Sequence, residues 1–140
     1  MQTGAVVRFF VRVLILIAVV VAAAVVALMI VNRRAAENDQ VVIVEVPFTS
    51  DGVAAATVGR IIFVDADRSR DADLLAHELV HVCQWEQEGI EFLWEYSTEF
   101  VANYEEFGDV RESYLHVSFE QEAREGSPNC DIDAYNVVRQ

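Results

Sequence analysis

The chain has no lysine, only two prolines and two cysteines, and no acidic residue before Glu37. With ten arginines against 23 acidic residues, the net charge is −13. The imbalance is concentrated. Residues 35–140 hold six arginines and all 23 acids, which leaves that part at −17. Nucleic acid is excluded as a partner for such a surface, because its binding rests on cations meeting phosphate. A surface of this charge is simply well solvated. The two cysteines, Cys83 and Cys130, stand 47 residues apart and lack the close spacing of a metal-binding pair. They are either free and buried or joined in an oxidising compartment, and spacing does not decide between these.

What is abundant is apolar length. Residues 13–31 read VLILIAVVVAAAVVALMIV, 19 positions without a charge. As a helix they span about 28 Å at ~1.5 Å per residue, close to the ~30 Å of a bilayer's hydrocarbon core. Core helices of soluble proteins are rarely apolar all round over such a length. The run also exceeds the ~7–15 residues of a signal peptide's apolar region. Residues 1–34 therefore read as a single-pass membrane anchor that contacts the bilayer through 13–31. A cleaved signal-like segment is the alternative. Arg8 and Arg12 precede the run, and Arg33 and Arg34 follow it. With two arginines on each side, the positive-inside rule gives no orientation.

Beyond the anchor, 35–40 (AAENDQ) reads as a linker. The β-branched run 41–46 (VVIVEV), ended by Pro47, predicts a strand, and 48–52 (FTSDG) a turn. Residues 54–58 fit either class. Gly59 breaks them off, and 60–64 (RIIFV) predicts a second strand. Asp71 or Asp73 can cap a helix that runs through LLAHELVHVCQWEQE and stops near Gly89. Residues 90–107 predict a further helix. Its Leu93, Tyr96, Phe100, Tyr104 and Phe107 recur at three- and four-residue steps and are expected to pack on the preceding helix, with the lining of a substrate groove as the alternative. A last helix starts near Val110 or Ser118 and includes FEQEARE. Gly126, Ser127 and Pro128 close it, and 127–140 is expected to be a tail. Strands first and helices afterwards predict an α+β domain over 41–126, a small sheet packed on three helices.

His77-Glu78-Leu79-Val80-His81 is an HExxH motif. Residues four apart on a helix lie within about 40° of each other, so two imidazoles can reach one Zn²⁺. Glu78 is turned about 100° from His77. From there it is poorly placed as a ligand but well placed to hold a water beside the metal. Leu74, Leu75, Leu79, Val80 and Val82 frame the motif with an apolar surface. A catalytic zinc takes three protein ligands and keeps one position open. No histidine follows at the spacing of an extended HExxH motif, and Cys83 is turned about 160° from His81. The only other histidine is His116, and the better candidates are Glu120 and Glu122.

LLAHELVHVCQWEQEG, followed by YLHVSFEQEAR, resembles the gluzincin pattern in its shortest, minigluzincin-type form. It is similar to small bacterial and archaeal metallopeptidase-like domains with HELxHVxQ and a downstream FExEA. The membrane CAAX prenyl proteases share the logic, their third ligand opening a Glu-x-x-Ala-Asp stretch. The resemblance covers about residues 58–125. It implies a zincin-like fold, zinc held by His77, His81 and Glu120, and Glu78 as the catalytic base of a hydrolase. It puts Ala123 in the alanine position, and Arg124 where the pattern has an aspartate that supports a histidine ligand. It also implies that a strand edge near the metal, at 60–64, binds extended substrate by backbone pairing.

Three further residues can line the site. Gln84 lies seven residues after His77, near the same helix face. His116 would share a face with Glu120 on a continuous helix and can stabilise an oxyanion, as can Tyr114. Three functions fit the sequence. The first is a membrane-anchored zinc metallopeptidase cleaving a peptide or protein substrate with water activated by Glu78. The second is a non-catalytic zinc-binding module of the same fold, stabilised by its metal. The third is a tethered interaction domain without metal.

Overall fold

The computed structural model describes residues 3–47 and 53–140, with side chains from Arg12 onward. The turn expected at 48–52 lies outside the described residues. The chain divides into two units, residues 1–34 and 35–140.

The first unit is helical. Helix α1 covers Thr3–Glu37. Its stretch Arg12–Glu37 is long and apolar enough to cross a membrane, as a signal sequence also is. The linker expected at 35–40 shrinks to Asn38 and Asp39, because α1 continues to Glu37 and β1 begins at Gln40.

The second unit is α+β. Its strands are β1 (Gln40–Val46), β2 (Ala55–Val58), β3 (Ile61–Asp65) and β4 (Asn136–Arg139). They form one mixed sheet in the order β2-β3-β1-β4. The ambiguous residues 54–58 are strand because they close a hairpin. Val58 faces Ile61 across Gly59 and Arg60, and Gly59 takes φ +62°, which a two-residue hairpin turn favours and glycine adopts freely. β1 runs parallel to both β3 and β4. The helices are α2 (Ala72–Glu88), α3 (Glu91–Phe107), α4 (Val110–Leu115) and α5 (Ser118–Glu125).

The core lies between the sheet and α2. Val41 and Ile43 alternate along β1, and Ile62 and Val64 along β3, so each pair shares a face. Val82 joins them, with Leu75 and Leu79 packed against the cluster. Burying each such side chain stabilises by roughly 1.5–3 kcal/mol. His77, His81 and Gln84 each stand two residues beyond Leu75, Leu79 and Val82. They are therefore turned by about 200° on the same helix. One face of α2 seats it on the sheet, and the other presents the motif to α3 and α5.

Three expectations change, and the open pairing of the two cysteines is decided. The segment 127–140 is not a tail: β4 adds to the free side of β1, with Val41 opposite Val137. Cys83 and Cys130 are joined in a disulfide with Cα atoms 5.9 Å apart, which ties this segment to α2. Tyr135 OH also donates to Glu86 Oε2 at 2.7 Å, and Arg139 Nη1 to the Ser69 carbonyl at 2.6 Å. The last helix is two short ones, broken at His116 and Val117. The aromatic stripe of α3 is also offset. Phe92 is the buried residue, whereas Leu93, Tyr104 and Phe107 are exposed.

Candidate metal centre

Helix α2 begins at Asp71, whose Oδ1 accepts from Leu74 N at 3.1 Å. Arg68 pairs with the other oxygen at 2.5 Å and holds the Asp71 carboxyl below its ordinary value. The helix ends at Gly89, φ +62°, whose N–H returns to the Trp85 carbonyl. Between these caps, His77 and His81 stand one turn apart with their Nε2 atoms separated by 3.1 Å.

Glu120 reaches them from α5. Its Oε2 lies 3.1 Å from His77 Nε2, and its Oε1 3.3 Å from His81 Nε2. The carboxylate is 4% exposed, and Oε2 makes no hydrogen bond of good geometry despite its closeness to His77. A buried carboxylate oxygen left in this condition is costly. Three lone-pair donors converging on one point, one of them unsatisfied, fit a metal ion, and this group can hold one. Burial alone would raise the Glu120 carboxyl. Its contacts with His77 and His81 outweigh that and hold it well below the usual carboxylate range.

Glu99 on α3 sets the position of α5. It accepts from Ser118 N and from Ser118 Oγ, each at 2.7 Å, at a helix start that lacks a cap of its own. Phe92 wedges between the helices, 4.9 Å from the Phe119 ring and 6.1 Å from that of His81. Tyr96 OH donates to Glu120 Oε1 at 2.9 Å. Burial, and then the Glu120 charge, push the Tyr96 phenol up, so it stays a donor. Burial and Glu120 do the same to Tyr114.

Gln84 Oε1 meets His81 Nδ1 at 2.7 Å. Glu122, the alternative ligand, is not in the metal group. Its Oε2 accepts from Gln84 Nε2 at 2.8 Å, and its Oε1 from Ser127 Oγ at 2.5 Å. His116 is not brought to the site either. Because α4 ends before it, its exposed ring lies 4.4 Å from that of Phe107, and its Nδ1 donates to the Glu112 carbonyl. Arg124 lies 3.9 Å from Glu120 Oε2 and 5.9 Å over the Tyr114 ring.

An open cavity of about 230 Å³ abuts the group. Ala55, Ala56 and Thr57 form one wall, Phe92, Leu93, Tyr96 and Tyr114 another, and Glu78, His81 and Glu120 the base. Thr57 Oγ1 donates to Glu78 Oε2 at 2.6 Å. The strand edge at this cavity is β2. The strand expected to supply it, at 60–64, is β3 and lies inside the sheet. Sequence reasoning missed Thr57, Glu99 and the role of Tyr96. Only Tyr96 carried a signal, as part of the aromatic stripe.

Residues 48–89 match the family model of the eCIS core domain. The match takes in β2, β3 and α2 with the HExxH motif, and stops before Glu120. No curated protein and no solved structure matches the chain.

Proposed function

We propose that the chain is a zinc metallopeptidase of the zincin type, anchored in a membrane through residues 13–31. The observation that carries this reading is the spacing of the three donors, 3.1, 3.1 and 3.3 Å, beside an open cavity with Glu78 at its base. Ligands on a tetrahedral zinc at ~2.0–2.1 Å stand about 3.3–3.4 Å from one another. Zinc bound there would bring a water's ionisation near neutrality and polarise the scissile carbonyl.

The residues then divide the work. Thr57 holds Oε2 of Glu78, which leaves Oε1 to take the proton of the attacking water. The same carboxyl passes that proton to the leaving amine as the C–N bond breaks. Tyr96 and Tyr114 stay protonated on the cavity wall, and their hydroxyls face Glu120, where Tyr96 donates to Oε1 and steadies that ligand. The substrate is an extended peptide paired along the free edge of β2.

The Cys83–Cys130 disulfide supports placing this domain on the oxidising side of the membrane, or outside the cell if residues 1–34 are cleaved. A second reading, a zinc module that only stabilises the fold, is favoured by Arg124. It stands near Glu120 where the resembled pattern has an aspartate. Glu78→Gln separates the two. As an enzyme, the variant keeps zinc and fold and loses cleavage of an unstructured protein such as casein by 10²-fold or more, the order typical of a general base. Equal cleavage by variant and wild type sinks the peptidase reading. If neither cleaves and a chelator unfolds both, the structural reading stands.

A further inference from the structure

We propose that Glu122 is a positioning residue for the metal site: it fixes which way the Gln84 amide faces, and through Gln84 which nitrogen of His81 is left for the metal. The inference rests on the metal-binding reading above.

An amide has a donor end and an acceptor end of nearly the same shape, so its neighbours decide its orientation. One end of Gln84 faces Glu122 Oε2 at 2.8 Å and the Phe119 carbonyl at 3.1 Å. Both of these only accept, so that end is the NH₂. The other end, Oε1, faces His81 Nδ1 at 2.7 Å, so Nδ1 carries the proton. A neutral imidazole protonated at Nδ1 keeps its lone pair on Nε2, the atom grouped with His77 and Glu120. Turning the amide over would put NH₂ against Nδ1. The proton would then sit on Nε2, where a metal must bind. Gln84 is 2% and His81 6% exposed, so water has little access to reorient either.

Glu122 is itself fixed by Ser127 Oγ. It stands two residues from Glu120 on α5, a turn of about 200°. One short helix thus offers one carboxylate to the metal and another to the residue that orients a ligand.

The test is zinc affinity of the full chain in detergent micelles, by competition with a chromophoric chelator. The four proteins are wild type, Glu122→Gln, Gln84→Glu and the double variant. An amide at 122 accepts either end of Gln84 and leaves the Phe119 carbonyl as the one contact there that still demands the NH₂, so Glu122→Gln weakens zinc by about tenfold, the lower end of what loss of an outer-shell partner costs. A carboxylate at 84 has no wrong way round. In that background Glu122→Gln leaves affinity unchanged or improves it by removing like charge. Unchanged affinity in Glu122→Gln, beside a wild type that binds zinc, overturns this role alone. An equal loss in both backgrounds also overturns it, as a general structural effect. A wild type without zinc affinity overturns the metal reading and this role together.

Discussion

Thr57 Oγ1 donates a 2.6 Å hydrogen bond to Oε2 of Glu78, joining the edge strand of the sheet to the acid of the HExxH motif. A hydrogen bond to a charged group contributes about 1.5–3 kcal/mol. Thr57→Val keeps the shape and removes the donor. It is expected to lower kcat about tenfold or more with little change in zinc content, while Thr57→Ser keeps most of the rate. Casein cleavage and metal analysis on the two variants check this. Equal rates in Val and Ser variants would dismiss the hydrogen bond.

Glu99 gives a second prediction. It caps α5 from a neighbouring helix, and Glu120 is the third residue of α5. Glu99→Ala should cost about 1 kcal/mol, the usual worth of a helix cap. It should also weaken zinc by loosening the ligand. Chemical denaturation and chelator competition measure the two effects, and unchanged values in both would remove Glu99 from the account.

The disulfide closes a loop of 47 residues. Chain entropy assigns a loop of that length about 4 kcal/mol, a figure that measured disulfides often fall short of. Cys83→Ser with Cys130→Ser should therefore lower stability by about 2–4 kcal/mol. In cells, both wild-type thiols should resist alkylation until reductant is added. Free thiols in the native chain would contradict the oxidising-side placement.

Metal affinity carries its own pH dependence. Histidines bind zinc as neutral imidazoles, so at this site protons would compete with the metal. Burial alone would lower the His81 imidazole, but its contacts with Glu120 outweigh that and raise it, so affinity is expected to start falling above the ordinary histidine value of about 6.5 as pH drops. Chelator competition from pH 5 to 8 reads the profile, and a flat profile would argue against histidine ligation.

The sequence carried some of this structure and hid the rest, for physical reasons. β1, the cap at Asp71 and the stop at Gly89 were legible because each rests on local chemistry: branched side chains, a short carboxylate, a glycine at positive φ. The helical spacing of His77 and His81 was legible for the same reason, and their proximity follows from it. β4 was not legible. NVVR is too short to announce a strand, and its docking depends on the disulfide and on Tyr135, both long-range. Glu99 and Thr57 were hidden likewise, since each partner lies 19 or 21 residues away. His116 would share a face with Glu120 only on a continuous helix, and Val117 breaks that helix.

The most direct test of the central claim is the zinc content of the purified full chain, set beside His77→Ala and Glu120→Ala. The account predicts stoichiometric zinc in the wild type and its loss in both variants. A wild type without zinc, or a Glu120→Ala variant that retains it in full, would contradict the account.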